Sequence, residues 1–197
     1  MTAELRPGRG RRPAAQVRTA VLTAAGELLF ESGLGDVTFE KVAARAGTSK
    51  MTLYKWWPSP GALALDAYAL AVEETLAFED TGDLAADLRA QLHSFVRLLS
   101  DERTGPVIAA LVGAAQTDAD VAAGFATHYT RPRRQLAVDR LTSARRRGQV
   151  REGVDLEAVV DQLWGACYHR LLLPDRPLDL PFVDALLDNL LHGIAPR

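Results

Sequence analysis

The chain has 197 residues, of which 48% are hydrophobic and 24% charged. That balance suits one mid-sized domain or a small module joined to a larger one, and it excludes wholesale disorder. No apolar run approaches the roughly 18 residues of a membrane span, and a lone cysteine, Cys167, excludes an internal disulfide and a multi-cysteine metal site.

The N-terminal run MTAELRPGRGRRPAAQ is basic but lacks the apolar stretch of a signal peptide. A cytoplasmic protein is therefore expected, with no membrane partner and no cofactor. Net charge is −2 and uneven: residues 1–60 hold nine Lys/Arg against five acids, a surplus of four, which leaves −6 on the remainder. Either the charges are scattered by chance, or the first sixty residues meet a polyanion.

In chain order, residues 1–13 are rich in Gly, Pro and Arg and read as a flexible basic arm. From Pro13 to Ser32, Val17, Val21, Ala24, Ala25, Leu28 and Leu29 recur at helical spacing, and Gly33 follows as a stop. Thr38 caps a short helix whose apolar face is Phe39, Val42, Ala43 and Ala46, and Gly47 ends it. Ser49 caps the next helix, which runs to about Trp57, where Pro58 bars continuation. Ser59 and Pro60 open a long helix expected to reach Phe78, with Leu63, Ala67, Leu70 and Ala71 inward.

Helix follows helix in the remainder. The expected spans are 84–100, 106–115, a long one from 118 to 148 kinked or split by Pro132, 156–173 capped by Asp155, and 181–193. No segment alternates with period two and no phosphate-binding glycine loop appears. The fold class is all-α, with about nine helices.

The run TSKMTLYKWWPSP sets lysine and tryptophan side by side. On a wheel of about 100° per residue, Leu53 and Trp57 form the buried stripe of residues 49–57. Met51, Thr52 and Lys55 lie opposite, with Tyr54 and Trp56 on the flanks. A two-turn helix following another across a turn that contains Gly47 is the layout of a helix-turn-helix, whose second helix enters a major groove.

The stretch AAGELLFESG-LGDVTFEKVAARAG-TSKMTLYKWWPSPGAL resembles the TetR family of bacterial transcriptional regulators, over roughly residues 17–68. Thr48 stands where the family usually has valine, Met51 at a small residue, Trp56 at a histidine and Trp57 at a phenylalanine. A later run, RRRGQVREGVDLEAVVDQLWGACYHRLLL, is similar to the C-terminal domains of some members. The resemblance implies a helix-turn-helix DNA-binding domain over 14–59 and a helical ligand-binding and dimerisation domain over 60–197. It also implies a palindromic double-stranded DNA operator, a homodimer, and most often repression relieved by a small molecule.

The expected DNA-binding residues are Thr38, Thr48, Ser49, Lys50, Met51, Thr52, Tyr54, Lys55 and Trp56. Thr38 sits at a helix N-terminus, where a hydroxyl and the helix dipole favour phosphate, and a plain cap is compatible with that. Lys50 and Lys55 suit a phosphate or a guanine edge, or are simply solvated. Tyr54 is similar to the family's phosphate-binding tyrosine. Trp56 retains one indole donor, or packs only. Thr52 and Met51 point at base edges, Met51 able to offer only apolar contact. Arg9, Arg11 and Arg12 either follow the DNA backbone or belong to a tail without specific contacts.

In the body, polar and aromatic residues within apolar helices are pocket candidates: His93, Phe95, Gln116, Phe125, His128, Tyr129, Trp164, Tyr168 and His169. Their setting points to a lipophilic or aromatic ligand. The resemblance places the dimer on the last two long helices, and Val159, Val160, Leu163, Cys167, Leu171, Phe182, Leu186, Leu190 and Leu191 are the expected interface. Arg145–Arg147 complement a helix C-terminus. An enzyme built on His93, His128, His169 and Asp161 is the main rival, but no paired-histidine or Glu-x-x-His motif supports it. A DNA-binding architectural protein without a ligand is the second.

Overall fold

The computed structural model describes residues 13–193, and the arm carrying Arg9, Arg11 and Arg12 lies outside them. Every regular element among the described residues is helical. α1 (Ala14–Ser32), α2 (Phe39–Ala46) and α3 (Lys50–Trp56) form the N-terminal unit, and α4 (Pro60–Ala71) leads into the body. The body holds α5 (Leu84–Ser100), α6 (Thr104–Ala115), α7 (Ala119–Gly124), α8 (Arg131–Arg146), α9 (Leu156–Leu172) and α10 (Leu180–His192). A six-residue π turn, Phe125–Thr130, joins α7 to α8 without a break, so the described residues carry nine helical rods.

Local chemistry explains most boundaries. Ser49, Ser59, Asp83, Asp118, Asp155 and Asp179 each accept backbone N–H groups of the first turn of α3, α4, α5, α7, α9 and α10. Gly47 adopts the left-handed conformation (φ 62°, ψ 43°) that ends α2, and the Thr48 amide then donates to the Ala43 carbonyl at 3.0 Å. Trp57 is not the last residue of α3 but its extended cap, because Pro58 excludes the α region for the residue before it.

Two boundaries depart from the periodicity. α4 stops at Ala71 instead of running to Phe78, and Leu70 and Ala71 face solvent, Leu70 with 48% of its surface exposed. The helix is leaving the core there. The chain turns back through a 3₁₀ turn (Glu74–Leu76) that buries Leu76 and brings Phe78 against the body. Pro132 leaves the long helix unbroken. Lacking an N–H, it cannot bond the carbonyl four residues before it, and the preceding turn widens to the i→i+5 pattern.

α4 is the pivot of the molecule. Residues 62–68 are all buried, because α1 covers one side while α7 and the π turn cover the other. Gly61 permits the approach to α7: a Cβ there would lie 2.6 Å from Val121 Cγ2. In the body, α5 contacts α6, α8, α9 and α10. The buried pair Arg140–Asp87 ties α8 to α5. Burial alone pushes Asp87 up, but the Thr81 hydroxyl and amide and the Arg140 guanidinium together hold its carboxyl below the usual range.

The residues expected at a dimer interface divide in two. Val159, Val160, Leu163 and Cys167 are buried within the chain, Leu163 and Cys167 completely, so they pack in the chain's own core. Leu171, Phe182, Leu186 and Leu190 are half-buried and Leu191 is exposed. The Arg170 guanidinium lies 3.7 Å over the Phe182 ring. Helical periodicity separates apolar from polar faces, but it does not say whether the apolar face meets its own chain or another.

Candidate nucleic-acid interface and body cavity

α3 is held from beneath and bare above. Leu53 is fully buried, Trp57 is 3% exposed, and Phe39 and Val42 of α2 complete the core under it. Outward stand Met51 (76% exposed), Lys55 and Tyr54 (56% exposed). The Tyr54 ring is braced edge-on against Phe39, with centroids 4.7 Å apart, leaving its hydroxyl end free. Thr52 is half-buried. Its amide donates to the Ser49 hydroxyl at 3.3 Å, and the two hydroxyls are 3.0 Å apart.

The other expected DNA contacts are placed less uniformly. The Thr38 hydroxyl accepts from the Lys41 amide at 3.2 Å, which is the capping role, and Thr48 is half-buried in the turn. Lys50 is exposed but paired with Glu40 at 2.6 Å, and that carboxylate holds its ammonium above the ordinary value. Lys55 forms no ion pair among the described residues. Trp56 is half-buried, edge-on to Trp57 with centroids 5.6 Å apart.

Asp66 on α4 lies under the end of α3 and is 8% exposed. Its carboxylate accepts from Trp57 Nε1 at 2.9 Å and from Arg18 of α1 at 3.1 Å, and it pairs with His128 Nδ1 of the π turn. The Arg18 guanidinium also lies 5.0 Å over the Trp57 ring. One carboxylate therefore joins α1, the C-terminal cap of α3, α4 and the body. None of these partnerships is visible in the sequence, since 48 to 62 residues separate Asp66 from Arg18 and His128.

On the far side of the π turn, α5, α6, α8 and α9 enclose a cavity of about 320 Å³. Of the expected pocket residues, Phe95, Phe125, Tyr129, Trp164 and Tyr168 line it. Their rings pair as Phe95–Tyr168, Phe125–Tyr129 and Phe78–Trp164, with centroids 5.6, 5.2 and 6.1 Å apart. Burial pushes the Tyr129 and Tyr168 phenols up, so both stay neutral in the physiological range.

The remaining four candidates are elsewhere. His93 pairs with Asp184 of α10 at 3.0 Å, and His128 faces Asp66. Gln116 is exposed and donates to the Val112 carbonyl at 3.2 Å, and His169 is exposed on α9. Asp161 pairs with Arg134. The three histidines and Asp161 thus have separate neighbours and form no shared acid–base site.

Sequence reasoning missed Gln91, Arg133, Arg134 and Phe78 as cavity lining. Arg134 is neutralised by Glu157 at 2.8 Å and by Asp161. Arg133 lies 4.8 Å over the Tyr129 ring and reaches only the Val72 carbonyl, at 3.5 Å. No carboxylate lies within ion-pair distance of it among the described residues.

A two-turn helix bared on one side and carried on a compact helical unit defines a helix-turn-helix protein. Residues 21–67 match the family described as "Bacterial regulatory proteins, tetR family", and residues 78–190 match "Tetracyclin repressor-like, C-terminal domain". The chain belongs to the TetR family and is a TetR-family transcriptional regulator. It is 34% identical over 186 residues to the uncharacterized HTH-type transcriptional regulator YdeS of Bacillus subtilis (strain 168), covering 94% of this chain and 93% of that one. It is 29% identical over 176 residues to the HTH-type transcriptional regulator AqdR of Rhodococcus erythropolis, covering 85% and 81%. Among solved structures, the TetR family transcription regulator SCO0332 superposes with a TM-score of 0.86 at 56% identity, covering 92% of this chain and all of that one. Thermus thermophilus FadR, a transcriptional repressor solved with lauroyl-CoA, has the same fold (TM-score 0.71, 21% identity, coverage 91% and 96%).

Proposed function

We propose that the protein is a ligand-responsive repressor, not an enzyme, that binds a palindromic operator as a homodimer in the cytoplasm. A small lipophilic or aromatic molecule in the body cavity releases it. In this reading residues 14–59 form the DNA-binding domain and residues 60–197 the ligand-binding and dimerisation domain. Lys55 and Tyr54 contact backbone or base edges, Thr52 and Met51 face the bases, and Thr38 offers a capped N-terminus to phosphate.

The observation that carries the reading is the position of the π turn. Phe125 and Tyr129 face the cavity, while His128 holds the Asp66 carboxylate that also fixes Trp57. A ligand that moves the aromatic side of this turn shifts His128, and with it α4 and the end of α3. It favours release only in proportion to its preference for the shifted arrangement. The lauroyl-CoA-bound FadR neighbour supports the view that this fold's body accepts an effector. Two copies fit through the half-exposed apolar side chains Leu171, Phe182, Leu186, Leu190 and Leu191, and a two-fold dimer places its recognition helices on half-sites about 34–36 Å apart or a multiple of that.

Fluorescence anisotropy on duplex DNA from upstream of the protein's own gene tests this. Wild-type protein binds, and Lys55→Ala and Tyr54→Phe each weaken binding by about 1–3 kcal/mol. Unchanged affinity for both variants removes α3 from the interface.

A further inference from the structure

The cavity is not uniformly apolar: among the described residues, a buried acceptor without a partner and a guanidinium without a carboxylate define what it takes. Gln91 is 8% exposed, and its Oε1 is buried without a hydrogen-bond partner among the described residues. A buried acceptor left open is costly unless something fills it. Arg133, at the cavity's other charged position, differs from its neighbour. Arg134 has two carboxylates, whereas Arg133 has a tyrosine face and one distant carbonyl. A guanidinium stacked on a ring keeps its edge N–H groups free for a planar anion.

We propose that the cavity binds a compact aromatic acid. Its ring lies between the three aromatic pairs, its carboxylate meets the free edge of Arg133, and a ring hydroxyl or N–H donates to Gln91 Oε1. This inference rests on the ligand-responsive reading above and names the ligand class of that same site. The volume of about 320 Å³ is at the small end of ligand pockets, which run from about 300 to 1,000 Å³, and it suits a one- or two-ring molecule better than a long-chain acyl conjugate. The asymmetry between the two arginines determines where the anion goes: at Arg134 it would have to displace Glu157 and Asp161, and at Arg133 no carboxylate, only one long bond to the Val72 carbonyl.

The test is isothermal titration calorimetry on the full chain with benzoate, salicylate, 2-naphthoate, 6-hydroxy-2-naphthoate and indole-3-acetate, each beside its neutral primary amide. Operator release by every binder is read by anisotropy. At least one acid is expected to bind about ten- to a hundredfold more tightly than its amide. Arg133→Gln removes that preference, and Arg133→Lys restores part of it. Gln91→Leu weakens the hydroxylated naphthoate relative to the plain one. Melting curves confirm that each variant folds. Amides that bind as well as their acids and release DNA overturn the acid assignment but leave the ligand-responsive reading standing. If no acid and no amide binds, the acid assignment falls, and the ligand-responsive reading falls with it if uncharged lipophilic probes such as 2-naphthol and decanol also leave the operator bound.

Discussion

Trp57→Phe tests the junction between the two halves of the molecule. The substitution keeps an aromatic ring at a site that is 3% exposed but removes the indole N–H that donates to Asp66 Oδ2 at 2.9 Å. A hydrogen bond to a charged acceptor contributes about 1.5–3 kcal/mol. Asp66 keeps Arg18 and His128, so the carboxylate is not orphaned and the loss stays within that range. The smaller ring leaves a void worth about 1 kcal/mol more. A total of about 2.5–4 kcal/mol corresponds to a drop of about 5–15 °C in Tm for a chain of this length. Calorimetric melting at fixed protein concentration measures it, since an oligomer's Tm depends on concentration. A double-mutant cycle with Asp66→Asn isolates the bond, with an expected coupling of about 1 kcal/mol or more. A loss below about 0.5 kcal/mol, or additive single effects, refutes the idea that this carboxylate anchors the end of α3.

Other consequences follow from groups already placed. Glu40→Gln frees Lys50, so DNA affinity rises at low salt and the slope of log K against log salt steepens by about one charge, measured by anisotropy across a salt series. The Asp87 carboxyl has a lowered pKa in the folded chain, so its contribution is present above the unfolded value of about 3.9 and is lost as pH falls through the folded one. Asp87→Asn should flatten stability below about pH 4, as read by urea melts. Arg140→Ala leaves that buried carboxylate unpaired and costs about 3–5 kcal/mol in the same melts. Burial pushes the Cys167 thiol up to about 12, so an aromatic disulfide reagent labels it only after denaturant opens the core.

The DNA-binding half was legible because its signals are local. Thr38, Gly47, Ser49 and Pro58 act on backbone groups within a few residues, and the helical wheel alone sets Leu53 and Trp57 beneath Met51 and Lys55. The body was legible as helices and illegible as a site. The aromatic candidates Phe95, Phe125, Tyr129, Trp164 and Tyr168 converge, but His93, Gln116, His128 and His169 do not, because the direction of a polar side chain depends on which helix covers it. Nothing in the sequence separates Arg133 from Arg134; the positions of Glu157 and Asp161 around Arg134 distinguish the two. The early end of α4 arises from packing over long separations, which no window of periodicity contains, whereas the π turn has a local cause in Pro132, whose missing N–H widens the turn before it without breaking the helix.

If α3 reads a DNA sequence, the wild-type protein and its helix variants select different duplexes. Selection of bound duplexes from a randomised pool, followed by sequencing, tests it most directly. The wild-type protein is expected to enrich a two-fold-symmetric motif, with the preference lost in a variant carrying Met51→Ala, Thr52→Ala and Lys55→Ala together. Retention of the same motif by that triple variant, or binding by the wild type without any motif, contradicts it.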